Sequence, residues 1–235
     1  MQMNRREFLV AAGLMTVSGK MLCDTLEQEY QKERESRIYN KLPQHIYTVK
    51  TVGKIKNIGD RKNEGIGGII DGKFVTVAHV TDIETIYIPT IFGMESYKGE
   101  IEEKKVYLDG KEMKELVYDR KNDIAIYETD GSIENFPCEP TTDISLGDKV
   151  FILGNPGLEG KMVREAHICS LTGYGKDNVT KDCFAVNTPL IPGDSGGFVV
   201  NEDYKMIGVT AAVLQGTFGY IKKYSLIQSY LKDLK

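Results

Sequence analysis

Short apolar stretches separated by turns dominate the chain from Ile46 onward. The first half holds "IYTVKTVGKI", "GIGGIIDGKFVTVAHV", "TIYIPTI", "KKVYLDGKEMKELVY" and "DIAIYETD". Runs rich in Val, Ile, Tyr and Thr, bounded by Gly, Asp and Asn, are typical of β-strands. After a connector with two prolines at 131–142, a second set begins with "DKVFILGNPG", "VREAHICSLTG" and "CFAVNTPL". This pattern predicts an all-β protein made of two antiparallel, roughly six-stranded β-barrels.

The end of the chain has a different periodicity. In "SLIQSYLKDLK" the apolar side chains recur at helical spacing, which predicts a C-terminal helix at about 225–234, packed on the second half. We therefore expect one folded domain over 46–235, with barrel one at about 46–134 and barrel two at about 143–221.

The first 45 residues do not fit the strand pattern. Two arginines precede an apolar run from Phe8 to Val17, and this run is too short to span a bilayer. The Arg-Arg-x-Phe-Leu sequence at 5–9 resembles the twin-arginine export motif. We predict an export signal at 1–22 and a charged linker or helix at 23–45, which places the protein in the periplasm or outside the cell. The alternative is a chance arginine pair before a buried helix, which would leave the protein in the cytoplasm.

Composition limits the classes of partner. Thirty Lys and Arg residues stand against 34 Asp and Glu residues, which gives a net charge of −4. Because the chain has no excess of positive charge, nucleic acid is not an expected partner. No membrane contact is expected either, apart from that of a signal that stays uncleaved. The chain contains no His-x-x-x-His or Cys-x-x-Cys pair, which disfavours a metal-dependent hydrolase. No metal and no cofactor is expected. Cys169 and Cys183 flank a turn-like stretch, and the sequence leaves open whether they are bonded or free.

Three distant residues provide candidate chemistry. His79 follows an apolar strand in "TVAHV", Asp123 begins "DIAIY", and Ser195 lies within "PGDSGG". A serine hydroxyl becomes a useful nucleophile when a neighbouring base takes its proton. Imidazole suits that task near neutral pH, and a buried carboxylate fixes its tautomer and stabilises the imidazolium. The glycines around the serine allow a sharp turn whose backbone N–H groups can face a developing oxyanion.

These motifs, in this order, resemble those of the trypsin-like (chymotrypsin-fold) serine peptidases, and in particular the bacterial HtrA/Deg-type protease domains. The stretches "GIGGIIDGKFVTVAHV", "YDRKNDIAIYE", "SLGDKVFILGNPG" and "NTPLIPGDSGGFVV" are similar to segments of that family. The resemblance implies two perpendicular barrels with the site in the cleft between them. It also implies roles for four residues: His79 is the general base and acid, Asp123 orients it, Ser195 is the nucleophile, and the N–H groups of Gly193 and Ser195 form the oxyanion hole.

Two features depart from the Deg pattern. Asp194 stands where Deg-type proteases usually have Asn, and in this it resembles the animal trypsins, in which a newly freed N-terminus holds the aspartate. Nothing in the chain resembles the trypsin activation sequence, so we expect local hydrogen bonds to satisfy Asp194. No PDZ domain is expected after the C-terminal helix.

The residues expected to form the substrate pocket are small or apolar. In trypsin an aspartate lies six residues before the nucleophile, where this chain has Pro189; some glutamate-specific relatives have a histidine where this chain has Thr210. The predicted pocket residues are Thr188, Pro189, Leu190, Thr210, Ala211 and Ala212. They favour a small-to-medium apolar P1 side chain.

The sequence therefore predicts a serine endopeptidase that acts on peptide or protein substrates through an acyl-enzyme. The alternative is a catalytically silent binding or scaffolding protein with a protease fold. The sequence leaves the oligomeric state open.

Overall fold

The residues that the computed structural model describes are 17–90, 93–173, 182–214 and 217–234. Most of the predicted export signal, residues 1–16, lies outside them. The chain divides into two compact units, residues 1–41 and residues 42–235.

The first unit is helical where it is described. Helix α1 (Val17–Ser36) continues into a π-helical turn at Arg37–Lys41. A 3₁₀ turn, Leu42–His45, then begins the second unit. Of the helices in the described part of the chain, none combines the length and the apolar character needed to cross a membrane.

Six strands close the first barrel in the order β1-β2-β3-β8-β7-β6. Their bounds are β1 (Tyr47–Ile55), β2 (Gly59–Ile70), β3 (Lys73–Thr76), β6 (Ile101–Leu108), β7 (Lys111–Asp119) and β8 (Ile124–Glu128). Strands β4 (Thr85–Thr90) and β5 (Gly93–Lys98) form a separate two-stranded ribbon. Residues Thr85–Thr90 of the alternating sequence "TIYIPTI" therefore form a strand outside the barrel, although they resemble the barrel strands in pattern.

Six further strands close the second barrel in the order β10-β11-β14-β13-β12-β9. Their bounds are β9 (Lys149–Gly154), β10 (Met162–Ser170), β11 (Cys183–Val186), β12 (Phe198–Asn201), β13 (Met206–Leu214) and β14 (Phe218–Lys223). Helix α2 (Tyr224–Asp233) follows β14 directly and packs against β13 and β14. Both closed barrels are antiparallel, which confirms the predicted fold class.

Each barrel has an apolar core because apolar and polar residues alternate along strands such as β10. Along β10, Ala166, Ile168 and Ser170 are buried, whereas the residues between them are exposed. Alternate side chains of a strand point to opposite faces, so one face of β10 fills the barrel and the other meets solvent. The interior of barrel two also contains Ile152, Phe184, Val199 and Ile221.

Within the described residues, Cys138, Cys169 and Cys183 form no disulfide. Residue 168 pairs with residue 186 and residue 170 with residue 185, so Cys169 does not lie opposite Cys183. Cys169 is exposed, while Cys183 and Cys138 are buried. Of the two alternatives that the sequence left open for Cys169 and Cys183, the structure supports the one without a disulfide between them.

Candidate active site

Strand pairing in the first barrel brings His79 and Asp123 together. β3 leads into the 3₁₀ turn Ala78–Thr81, which carries His79, and Asp123 immediately precedes β8. β3 and β8 are antiparallel neighbours with Thr76 opposite Ala125. The end of one strand therefore lies beside the start of the other, although the two residues are 44 positions apart in sequence.

The carboxylate of Asp123 contacts His79 at three points, two on the imidazole and one on the backbone. His79 Nδ1 lies 2.9 Å from Oδ2 and 3.0 Å from Oδ1, and the backbone N–H of His79 donates to Oδ1 at 2.9 Å. The Asp123 side chain is 5% exposed and the His79 side chain 46%. Because a carboxylate only accepts hydrogen bonds, Nδ1 carries the proton, and Nε2 is left as the free acceptor.

Ser195 shares a cleft with His79. The cleft measures about 430 Å³. The residues that line it come from both barrels: Asn63, Glu64, Gly65, His79 and Val80 from the first, and Leu190, Ile191, Pro192, Gly193, Ser195 and Ala211 from the second. The Ser195 hydroxyl donates to the backbone carbonyl of Ala211 at 3.4 Å. Within the described residues, it makes no hydrogen bond to His79.

The loop before Ser195 presents two backbone N–H groups that are not used internally. The Pro192 carbonyl accepts the N–H of Gly157 at 2.7 Å. Since C=O and N–H point in opposite directions across a trans peptide, the N–H of Gly193 points away from Gly157. Among the described residues, the N–H groups of Gly193 and Ser195 have no protein acceptor.

The shape of this loop requires glycine at two positions. Gly193 has a φ of 99°, and a Cβ there would lie 2.3 Å from the Asn155 carbonyl oxygen. Gly196 has a φ of 90°, and its Cβ would lie 1.9 Å from the Ile66 carbonyl oxygen. A side chain at either position would clash with backbone and strain the turn, which explains the glycines that flank the serine.

Asp194 is fully buried and forms an ion pair with Arg164 of β10. Its Oδ2 also accepts the N–H of Ile191 at 2.7 Å, while its buried Oδ1 has no hydrogen-bond partner among the residues that the structure describes. Burial raises the pKa of Asp194, and this effect outweighs the hydrogen bond from Ile191 and the charge of Arg164. The prediction that local hydrogen bonds satisfy Asp194 is therefore incomplete, because its principal partner is a cation from a distant strand.

Sequence reasoning missed Arg164, although a signal for it exists. Arg164 shares the inward face of β10 with Ala166 and Ile168, because the three lie at alternate positions. A charged residue on the apolar face of a strand indicates a buried partner. Arg164 also donates through Nη1 to the Pro189 carbonyl at 2.8 Å, so it contacts the loop before the serine at two places.

The residues predicted for the substrate pocket fall into two groups. Leu190 and Ala211 line the cleft, together with Ile191 and Pro192, which the sequence did not single out. Thr188, Pro189 and Thr210 are not among the residues that line it. The Thr210 hydroxyl is buried and donates to the backbone carbonyls of Asp194 and Gly197. The side chain of Ala212 lies outside the described ones.

Among the described residues, no three His, Cys, Asp or Glu side chains are grouped so that they could hold a metal ion. What the cleft does bring together is a base with a fixed tautomer, a hydroxyl, and two N–H donors on a turned loop. These are the groups that acyl transfer uses.

Comparison with known proteins agrees with this chemistry. A family model described as "Trypsin-like peptidase domain" matches residues 67–209. The chain is 27% identical over 172 residues to "Serine protease HtrA-like" from Staphylococcus aureus (strain USA300). That alignment covers 65% of this chain and 22% of the relative, so the chain spans only about a fifth of the relative's length.

Solved structures show the same fold at low sequence identity. The active form of the Rv3671c protease from M. tuberculosis has a TM-score of 0.59 and 21% identity, over 79% of each chain. The HtrA-type protease AlgW with tripeptide also has a TM-score of 0.59 and 21% identity, over 86% of this chain and 62% of that one.

Proposed function

Because the chain belongs to the family of trypsin-like peptidase domains, we propose that it is a serine endopeptidase with Ser195 as nucleophile, His79 as general base and acid, and Asp123 as the orienting carboxylate. One observation carries the proposal. The Asp123–His79 pair opens onto the same cleft as Ser195, beside a loop with two N–H groups that have no acceptor among the described residues.

The reaction starts with the serine side chain turning toward the imidazole. In the free protein the hydroxyl is bonded to the Ala211 carbonyl, so the proposed mechanism requires a rotation about the Cα–Cβ bond that brings it to Nε2 of His79. Such catalytic hydrogen bonds are often formed only when substrate is bound. Oγ then attacks the scissile carbonyl carbon while its proton passes to Nε2, and Asp123 stabilises the imidazolium.

The oxyanion that forms in this step accepts hydrogen bonds from the N–H groups of Gly193 and Ser195. His79 then gives its proton to the leaving amine, the C–N bond breaks, and Ser195 carries the acyl group. A water molecule, deprotonated by His79, repeats the sequence on the ester and releases the second product.

The cleft wall supports a small-to-medium apolar P1 side chain. Leu190 and Ala211 provide apolar surface, and Ile191, which is 45% exposed, extends it toward solvent. Among the described residues that line the cleft, those from the second barrel are uncharged, whereas Glu64 lines it from the first barrel. On the second-barrel side, discrimination therefore rests on size and on apolar contact.

A second candidate function is a binding or scaffolding protein that uses the cleft without turnover. The hydrogen bond from the Ser195 hydroxyl to Ala211 favours it, because a hydroxyl held there is not activated by the imidazole.

A peptide library with mass-spectrometric detection of cleavage tests the endopeptidase proposal. The wild-type protein should cut after small or medium apolar residues, and Ser195→Ala should cut nothing. Peptides that bind the wild-type protein but stay intact would support the scaffolding function instead. Cleavage that persists in Ser195→Ala would mean that another group is the nucleophile.

A further inference from the structure

The loop that carries Asp123 holds an unfavourable backbone conformation. β7 and β8 form a hairpin in which Asp119 pairs with Ile124, and Asp123 is the last residue of the loop between them. Asp123 has a φ of 56°, in the left-handed region that non-glycine residues adopt at a cost. Such a conformation persists only where its surroundings hold it.

One anchor ties this loop to the segment that follows His79. The guanidinium of Arg120 lies 2.9 Å from Asp82 Oδ2 and 3.2 Å from Glu84 Oε2, and it also donates to the hydroxyl of Thr85. Asp82 is three residues after His79 in the chain. Both halves of the Asp123–His79 pair are therefore fixed by contacts within the first barrel.

A second anchor comes from helix α2, which follows the second barrel. The hydroxyl of Tyr230 donates to Asp119 Oδ2 at 2.5 Å and accepts from Asn122 Nδ2 at 2.8 Å. Asn122 Nδ2 also donates to Asp119 Oδ2 at 2.8 Å, and the Asn122 backbone N–H donates to Oδ1 at 2.9 Å. The three side chains thus form a closed network directly before Asp123.

The carboxylate at the centre of this network is charged. Burial alone would raise the pKa of Asp119, but hydrogen bonds from Tyr230 and Asn122 lower it below its ordinary value. Hydrogen bonds to a carboxylate are roughly twice as strong as those between neutral groups. The network therefore fixes the loop more firmly than a neutral turn would.

We propose that Tyr230 is a positioning residue for the catalytic pair: through Asp119 and Asn122, helix α2 holds Asp123 in place against His79. The role of Tyr230 in turnover rests on the proposed function. The consequence is that the C-terminal helix links the barrel that carries the nucleophile to the barrel that carries the base.

The test compares Tyr230→Phe with Tyr224→Phe. Tyr224 lies on the same helix, and its hydroxyl makes no hydrogen bond among the described residues, so its change controls for losing a tyrosine hydroxyl from α2. In Tyr230→Phe, kcat should fall by about 10-fold, less than the roughly 100-fold that a 1 Å misplacement costs. KM should stay unchanged, because Tyr230 does not line the cleft. Tyr224→Phe should alter neither constant.

A second readout does not require turnover. The Nδ1 proton of His79, hydrogen-bonded to Asp123, gives a low-field NMR signal that is assigned by its loss in His79→Gln. In Tyr230→Phe this signal should move upfield and exchange faster with water; in Tyr224→Phe it should stay. Asp119→Asn, which keeps the side-chain shape, should produce the same change, and adding Tyr230→Phe to it should have little further effect.

The outcomes separate the two proposals. If kcat and the Nδ1 signal are the same in Tyr230→Phe and Tyr224→Phe, Tyr230 does not position the pair, and the endopeptidase proposal stands. If the wild-type protein cleaves nothing but the signal shifts only in Tyr230→Phe, the positioning role stands and the endopeptidase proposal fails. Equal losses of kcat in both variants would overturn the positioning role.

Discussion

The buried ion pair beside Ser195 leads to a quantitative prediction. Asp194 precedes Ser195, and its carboxylate pairs with Arg164 of β10. Arg164→Met keeps most of the length and apolar volume of the side chain but removes the charge and the hydrogen bond to the Pro189 carbonyl. The carboxylate of Asp194 would then keep only the N–H of Ile191.

Burial sets the size of the expected loss. The Asp194 side chain is 0% exposed and the Arg164 side chain is 17% exposed. Removing one partner of a buried pair costs about 3–5 kcal/mol, because it leaves an uncompensated charge. Since Arg164 is partly solvated, we expect the lower end, about 3 kcal/mol. For a domain of this size, that loss lowers Tm by roughly 6–12 °C.

Adding Asp194→Asn to Arg164→Met removes the negative charge that Arg164→Met alone leaves buried and unpaired. Asparagine has nearly the same shape, which matters because the Asp194 carboxylate packs tightly against Gly154. The double variant should regain about 2 of the 3 kcal/mol, since replacing a buried pair by neutral groups is often nearly neutral. Urea unfolding of the single and double variants measures this recovery.

The destabilisation caused by Arg164→Met should change with pH in a defined direction. Burial raises the pKa of Asp194, so its folded-state pKa lies above the unfolded one. A raised carboxyl pKa means that the folded state binds the proton more tightly, and a neutral Asp194 no longer needs Arg164. The cost of Arg164→Met should therefore be smaller at pH 5 than at pH 8. Two results would refute this reasoning: a double variant that is no more stable than Arg164→Met, or a loss of unfolding free energy in Arg164→Met that grows as pH falls.

Three further predictions concern the site and export. Asp123→Asn should lower kcat by about 10⁴-fold while leaving the fold intact, because the imidazole loses the partner that fixes its tautomer. Circular dichroism checks the fold, and a peptide-cleavage assay measures the rate. Near-normal turnover would contradict the orienting role of Asp123. Gly193→Ala should lower kcat by at least about 10²-fold, because the new Cβ would lie 2.3 Å from the Asn155 carbonyl oxygen and displace the backbone N–H of residue 193. A wild-type rate would count against the assignment of that N–H to the oxyanion hole. Arg5→Lys combined with Arg6→Lys should retain the protein in the cytoplasm, as cell fractionation would show, whereas unchanged export would argue against a twin-arginine signal.

The barrels could be predicted from sequence because their signal is local. Alternation of apolar and polar residues along β10, for example, marks a strand with one face in a core. The sequence could not show that β4 and β5 lie outside the barrel, because alternation indicates that a strand exists but not which strand it pairs with. Pairing depends on residues far away in sequence.

The candidate site could be predicted only for residues that carry a motif. His79, Asp123 and Ser195 are chemically distinctive and occur in recognisable surroundings. Arg164 and Tyr230 have no such motif, since their importance comes from contacts with Asp194 and Asp119 across long sequence separations. Helical spacing in the sequence marks Tyr230 only as an apolar position of α2, whereas the structure shows its hydroxyl bound to Asp119.

The central claim is that Ser195 is a nucleophile activated by His79. Treatment of the folded wild-type protein with a fluorophosphonate, followed by intact-mass analysis and peptide mapping, tests this claim most directly. One adduct per chain, located on Ser195 and absent from both Ser195→Ala and His79→Gln, is the predicted result. Folded wild-type protein that takes no label, or label on another residue, would contradict the claim.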